Sequence, residues 1–349
     1  MKLAIDARYL GKSGIGSFIE GVLYNLLENH KENYYLVILS DRNIHLNYEN
    51  CDVIYTDIEP FTLKELFSFP VRAINKCDAF FTPYINIPYG IKIPIYSTIH
   101  DVIFLDINEL VSKLGYIVRK LYILRAIHMS KAIFTVSEFS KSRILCHFHT
   151  DKDIEVVYSG ITSNLKNYTP HRIEKDDYYI YVGNIKQHKG IDLLLKAYSK
   201  AREQGLKSRL YIVGEYNNFR SSANLRGLLD DKDNIKFTGH VSDEKLYNLI
   251  SSAKCLVLPS RYEGFGLPPL EALYLGTNVI ISDIPVFKEI YKGLPVVYFK
   301  NNDVDSLTEI LFEPQESIDI AKVRDSIDKR YNFTLTSNNI LNYIEHNNK

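Results

Sequence analysis

Two glutamates, Glu263 and Glu271, stand in the stretch Pro259-Ser260-Arg261-Tyr262-Glu263-Gly264-Phe265-Gly266-Leu267-Pro268-Pro269-Leu270-Glu271-Ala272. The β-branched, apolar run Cys255–Leu258 leads into a loop with two glycines, and Pro269 suits the first turn of a helix closed by Gly276. That spacing places Glu271 within the first helical turn, close to free backbone N–H groups, and holds Glu263 in the loop. Carboxylates accept from hydroxyls, while amides and a helix dipole face an anion, so the pattern suits a polyhydroxylated ligand carrying phosphate. One loop glutamate plus one helix-start glutamate explains each acid singly, but not the glycines and prolines around them.

Three further constellations carry chemistry with a plain structural alternative beside each. In Tyr181-Val182-Gly183-Asn184-Ile185-Lys186-Gln187-His188-Lys189-Gly190, Lys189 precedes a helix starting near Ile191. An ammonium there neutralises a diphosphate leaving group, or the segment is a solvated basic turn. In Ser97-Thr98-Ile99-His100-Asp101 an apolar strand ends in a His–Asp pair. His100 there hydrogen-bonds a sugar hydroxyl or passes a proton, or it is a core histidine capping the next turn. Gly11-Lys12-Ser13-Gly14-Ile15-Gly16, ahead of the amphipathic helix Phe18–Leu27, is an anion or substrate loop or a simple tight turn. It is no dinucleotide fingerprint, because the third glycine would fall at Ile19, and no Gly-Lys-Ser/Thr ends it as in a nucleotide-triphosphate loop.

From Lys113 to Arg143 the basic residues Lys113, Arg119, Lys120, Arg125, Lys131, Lys141 and Arg143 face one acid, Glu138. Leu114, Ile117, Leu121, Leu124 and His128 form a stripe read as facing the core, with Tyr116, Ile123 and Ile127 on another face. Such a helix is buried twice or rests on an anionic membrane. Asp151-Lys152-Asp153, Asp231-Lys232-Asp233 and Asp303-Val304-Asp305 match the acidic pair of manganese-dependent sugar transferases, but all three read as solvated loops. No metal site is expected.

The elements that must position these residues alternate strand and helix from end to end, the signature of parallel α/β sheets. Strands are predicted at Lys2–Asp6, Tyr35–Leu39, Val53–Tyr55, Ala79–Thr82, Ile95–Ile99, Ala132–Thr135 and Glu155–Val157. The rhythm restarts at Tyr178–Val182, Arg209–Val213, Ile235–Thr238, Cys255–Leu258, Asn278–Ile281 and Val296–Tyr298. Between them, Tyr158–Asp177 is a polar linker with Gly160 and Pro170. Two Rossmann-like domains follow, 1–165 and 166–334, with a closing helix in 335–349 packing back on the first. Ligands of such sheets sit beyond the carboxyl ends of the strands, where every motif above falls.

A chain of 349 residues fits about two domains, and 46% hydrophobic with 24% charged residues excludes a disordered or fibrous protein. Equal numbers of basic and acidic residues, 42 each, leave no global field for nucleic acid. Cys51, Cys77, Cys146 and Cys255 are scattered as reduced thiols are, and the expected place is the cytoplasm, with no signal peptide or spanning segment.

The late motif resembles the paired-glutamate signature of retaining glycosyltransferases of family 4, in the GT-B fold, with Glu263 and Glu271 as the pair. Ile5-Asp6-Ala7-Arg8 with Gly14-Ile15-Gly16, His100-Asp101, Thr135-Val136-Ser137-Glu138, Tyr181-Val182-Gly183 with Lys189, and Phe237-Thr238-Gly239 with Val241 occur in the family's order. The resemblance implies an α/β protein of two Rossmann-like domains whose parallel sheets face a central cleft. It implies a nucleotide-sugar donor on the second domain and a glycan or lipid-linked acceptor on the first, with no cofactor or divalent ion. Glu271 would take ribose hydroxyls and Glu263 the donor sugar, with Gly264, Phe265, Gly266 and Leu267 near the sugar and diphosphate. Lys189 would stabilise the leaving phosphate, with help from Lys186 or Arg261, since Asn184 and His188 stand where relatives carry arginine. Val241 and Ser242 would lie near the base. His100 would touch the donor sugar, Gly14 and Gly16 would close on the diphosphate, and Ser13, Gly14 and Asp101 would meet the acceptor. Catalysis would then rest on His100, Lys189 and Glu263, with retention of configuration. The first expectation is mannose from GDP-mannose. UDP-glucose, UDP-galactose or a deoxysugar donor, a soluble acceptor, and a non-catalytic sugar-binding protein remain alternatives. A dehydrogenase is disfavoured because neither domain carries the dinucleotide glycines.

Overall fold

The computed structural model describes residues 1–11, 13–170, 174–214, 233–313 and 317–348 of the chain. It divides into two compact units, Met1–Thr162 with Tyr331–Lys349, and Ser163–Arg330. The division thus falls three and four residues earlier than the predicted boundaries after 165 and 334.

The first unit is built on a seven-stranded sheet of order β3-β2-β1-β4-β5-β6-β7. Its strands are β1 (Lys2–Asp6), β2 (Tyr34–Leu39), β3 (Cys51–Tyr55), β4 (Ala79–Thr82), β5 (Ile95–Thr98), β6 (Ala132–Thr135) and β7 (Ile154–Val156). All neighbours pair in parallel; β1, for example, aligns Ile5 with Val37 of β2 and with Phe81 of β4. Helices cover both faces of such a sheet, and the strands accordingly read as short continuous apolar runs that are buried along most of their length. The C-terminal helix Phe333–Asn347 completes this unit. It lies so close to the helix Ser13–Asn29 that a Cβ on Gly21 would meet the Phe333 ring, and Tyr343 donates to Asp153 at 2.8 Å. Gly160 is likewise packed within this unit, where a Cβ would collide with the backbone of Asn332.

The second unit carries a six-stranded parallel sheet of order β10-β9-β8-β11-β12-β13. Its strands are β8 (Asp176–Val182), β9 (Arg209–Val213), β10 (Ile235–Gly239), β11 (Ala253–Leu258), β12 (Asn278–Ser282) and β13 (Val297–Phe299). In each sheet the winding reverses once, between β1 and β4 in the first and between β8 and β11 in the second. At such a reversal the flanking connections leave in opposite directions and open a crevice beyond the strand ends.

Candidate functional site

At the second reversal the loops after β8 and β11 are tied together. Gly190, at φ +68°, lies against the Pro259 carbonyl where a Cβ would come within 1.9 Å, so only glycine permits the approach. Arg261 makes the tie: its backbone N–H donates to His188 O at 2.7 Å and its Nη1 to Gln187 O at 2.7 Å. Its guanidinium meets both oxygens of Asp192 at 2.7 Å each, and Nε donates to Asn302. Burial works the other way, yet Arg261 holds the Asp192 carboxyl below its usual range. Arg261 is therefore a clamp between loops.

Within this frame Lys189 Nζ donates to both oxygens of Glu263 at 2.7 Å, and Ser260 Oγ donates to Glu263 Oε1 at 2.7 Å. The acid is buried, while the lysine side chain keeps contact with solvent. An ammonium has three donors, so one remains for a ligand, and Glu263 Oε2 keeps acceptor capacity. His188 beside them is pushed down to about 4 by burial, with Lys189 adding to the effect, and is neutral at pH 7.

Glu271 stands one turn further into its helix than the sequence spacing predicts. The helix Leu267–Tyr274 starts from Gly266, at φ +89°, so Glu271 is its fifth residue. Pro268 and Pro269 contribute no N–H to the first turn, which leaves Leu267 alone among its first three residues with a donor. The expected bed of helix-start amides is thus thinner than the sequence reading had it. Gly276, at φ +77°, closes the helix through Thr277 N to Ala272 O and Gly276 N to Leu273 O. Burial, with Asp243 adding its charge, pushes the Glu271 carboxyl up to about 7. Tyr291 Oη donates to Gly266 O, and a Cβ on Gly266 would strike Phe287, so the Gly264–Leu267 turn is fixed from behind. Asn184 is exposed in the loop after β8, and Val241 and Ser242 follow β10, with Ser242 at the N-cap of the helix Asp243–Ser252 but making no side-chain cap.

The first unit gathers a different set. Arg8, just past β1, is fully enclosed: Nε and Nη2 bond Asp6 at 2.8 and 2.6 Å, Nη1 bonds Ile58 O, and Nη2 also bonds Glu65. The Phe69 ring covers the guanidinium at 4.5 Å. Glu65 Oε2 accepts from Asn86 and from Phe61 N. Burial pushes Glu65 up to about 7 against the pull of Arg8. In the same unit Thr82 Oγ1, Tyr84 Oη, Asn86 Oδ1, Thr98 Oγ1 and His100 Nε2 are buried without a hydrogen-bond partner among the described residues. Sequence reasoning named His100 alone of these; Asn86 and Tyr84 follow β4 in Pro83-Tyr84-Ile85-Asn86, the signal that could have found them.

His100 lies edge-on to Phe18 at 5.1 Å, and burial pushes its imidazole down to about 4 although its ring is bonded to the Pro83 carbonyl. With one ring N–H donated to Pro83, the neutral ring presents Nε2 as an acceptor. Acceptance from a hydroxyl fits that state and proton donation at neutral pH does not. Asp101 Oδ1 accepts from Ile103 N at 3.1 Å, the turn-capping role. Ser13, Gly14 and Gly16 are not in a loop: the helix Ser13–Asn29 begins five residues before the predicted start at Phe18. A Cβ on Gly16 would meet Tyr9 O at 2.4 Å, whereas Gly14 faces open space. Of the acidic pairs, Asp303 caps the helix Val304–Ile310, Asp305 pairs with Lys200, and Asp153 accepts from Tyr343. Asp231 and Lys232 lie outside the described residues. Among the described residues no group of three or more metal-ligating side chains is placed to hold an ion, and no helix is long and apolar enough to cross a membrane.

Two parallel α/β units wound in this way make the fold GT-B, the class of the solved structures that superpose on the chain. Sucrose-phosphate synthase from Thermosynechococcus elongatus superposes with a TM-score of 0.76 at 17% identity, over 99% of this chain and 98% of that one. The Anabaena protein HepE in complex with UDP-glucose gives 0.76 at 16% identity, over 99% and 100%. Residues 166–313 match the family glycosyl transferases group 1. The O-antigen chain mannosyltransferase RfbU of Salmonella typhimurium is 33% identical over 178 residues, 50% of this chain and 49% of that protein. The O-antigen chain mannosyltransferase B of Escherichia coli is 28% identical over 243 residues, 65% and 62% of the two chains. The matched segments thus span from about half to about three fifths of these curated relatives.

Proposed function

We propose that the chain is a retaining, metal-independent glycosyltransferase that moves a hexose from a nucleotide-sugar donor to a lipid-linked or polysaccharide acceptor of a cell-surface glycan. Mannose from GDP-mannose is the leading donor, in keeping with the mannosyltransferase relatives. The observation that carries the reading is Lys189 held on Glu263 at the β8–β11 reversal, inside the segment that matches glycosyl transferases group 1.

Transfer breaks the bond between the anomeric carbon and the donor's phosphate oxygen, and the electron pair leaves with the diphosphate. The acceptor hydroxyl oxygen bonds to the same face of that carbon, and its proton passes to the departing phosphate. Charge builds on the diphosphate, so the remaining N–H of Lys189 is the group that stabilises it. Glu263 fixes the ammonium and offers its free lone pairs to sugar hydroxyls, and Glu271 accepts from the ribose. In the first unit His100 Nε2 and Asn86 Oδ1 are acceptors without a partner among the described residues, which suits a neutral hydroxyl rather than a phosphate. The proposed place of action is the cytoplasmic face of the membrane, where a lipid-linked acceptor is presented.

Thermal shift against GDP, UDP, dTDP, ADP and their sugar conjugates, with EDTA throughout, tests the reading, because a ligand of the folded state raises the melting point by mass action. A shift with one nucleotide that Glu271→Ala abolishes is the expected result, followed by transfer from its sugar conjugate. A shift only with manganese restored, or none, overturns it. A shift without turnover of any donor makes the chain a binding protein.

A further inference from the structure

Two elements of the first unit turn apolar side chains outward. On the short helix Leu63–Ser68, Glu65 and Leu66 are buried, while Leu63 and Phe67, one turn apart, are 73% and 74% exposed. The polarity is inverted: the acid points in, to Arg8 and Asn86, and the apolar residues point out. On the helix Lys113–Met129 it is Ile123, Ala126 and Ile127 that face the core. The stripe Leu114, Ile117, Leu121 and Leu124, expected to face inward, is instead 71%, 53%, 58% and 41% exposed. A helix apolar on both sides gives the sequence no means of choosing its inner face, and here Ile123, Ala126 and Ile127 pack inward while Ile117 and Val118 stay exposed.

Tyr89 joins the two elements. Its ring stacks on Phe67 at 5.2 Å and carries the Arg125 guanidinium at 3.8 Å, one helical turn from Leu121. A continuous apolar face runs from Leu63 through Phe67 and Tyr89 to Leu121 and Leu114. Lys64, Lys113, Lys120 and Arg125 border it, and the helix Lys113–Met129 contains no acidic residue. Arg143 does not belong to it, since its guanidinium is paired with Asp106, which His147 also contacts.

We propose that this face docks on the surface of an anionic phospholipid bilayer. Leu63, Phe67, Leu114, Ile117 and Leu121 enter the boundary between headgroups and acyl chains, and the lysines and Arg125 lie on lipid phosphates. Charge selects this occupant: a second copy seated on the same face would bring two basic borders together, whereas a surface of phosphates neutralises one. The proposal deepens the reading of a lipid-linked acceptor, and its failure would leave nucleotide binding by the second unit untouched.

Co-sedimentation of the full chain with phosphatidylcholine vesicles, with and without phosphatidylglycerol, tests it. Binding is expected to anionic vesicles and to weaken by about tenfold or more on neutral ones or at high salt. The exposed-residue variants Phe67→Ser with Leu121→Ser, and Lys113→Glu with Lys120→Glu, are each expected to lose about tenfold in vesicle affinity. They should keep the wild-type melting point and nucleotide shift, which separates lost docking from lost fold. Failure to bind anionic vesicles overturns the proposal, as does binding indifferent to both variants. A concentration-dependent dimer in sedimentation velocity, abolished by Phe67→Ser with Leu121→Ser, overturns it in favour of a second copy.

Discussion

At the β8–β11 reversal the cation reaches solvent; at the β1–β4 reversal it is enclosed. Lys189 is held by one carboxylate and keeps a donor, whereas Arg8 is saturated by Asp6, Glu65 and the Ile58 carbonyl and covered by Phe69. The two sheets share a topology and place opposite demands on charge at the same point of it. An exposed, singly paired ammonium can be handed to an incoming anion. A buried, saturated guanidinium cannot, because removing any partner would strand a charge in a medium of low dielectric constant. The polar atoms of the first unit's strand ends that lack a partner among the described residues are neutral and buried: hydroxyls, an amide oxygen and an uncharged imidazole. The contrast supports the proposal that the second unit takes the phosphate and the first unit takes hydroxyls.

The sharpest way to break that contrast is to remove each cation in turn. Arg8→Ala leaves Asp6 and Glu65 buried without their counter-charge, and is expected to lower unfolding stability by about 3–5 kcal/mol in a denaturant titration. A cost below about 1 kcal/mol would show that the first network is not a closed structural unit. Lys189→Ala should leave the unfolding midpoint near that of wild type while reducing the transfer rate by about 10²–10³-fold, the range for a lost transition-state donor. If the lysine variant unfolds as readily as the arginine variant, the two cations do the same job and the contrast fails. Arg261→Ala sharpens it, since the clamp touches both loops without using the ligand-facing donor. Truncating one side of its part-buried pair with Asp192 is expected to cost about 1–3 kcal/mol, read as a lower melting point together with weaker nucleotide binding.

Much of this arrangement was legible in the residues, for reasons particular elements make plain. β1, β4, β6 and β9 have the predicted bounds, because each is centred on a short apolar run of the kind a parallel strand covered on both faces requires. The pairing of Lys189 with Glu263 was not stated by any spacing, although both residues stand just after strands, where a parallel sheet collects its functional groups. The helix start at Ser13 was missed because Gly14 and Gly16 look like loop residues; close approach to Tyr9 O, a tertiary fact, puts Gly16 inside the helix. The Arg8–Glu65 pair joins residues 57 positions apart, and no local pattern announces it.

The smallest expected effect is also the one that isolates Glu271. Its carboxyl is raised to about 7 by burial and by Asp243, so the folded chain favours the neutral acid. The stability this group contributes is therefore fully present below its ordinary value near 4.5 and is lost as pH rises through about 7. Acceptance from two ribose hydroxyls demands the carboxylate, so nucleotide binding carries the opposite sign and strengthens over the same window. Between pH 6 and pH 8 the ionised fraction grows by about tenfold, and calorimetric titration of the nucleotide should show about that gain in affinity. The nucleotide's own phosphate titrates nearby, and Glu271→Gln separates the two contributions. The variant should bind weakly, with only the phosphate's pH dependence left, and at pH 8 it should melt at or above the wild-type temperature because no charge is then forced into the buried position. If wild type and Glu271→Gln share one pH profile, the carboxylate does not meet the ribose, and hydroxyl recognition in the second unit falls to Glu263 alone.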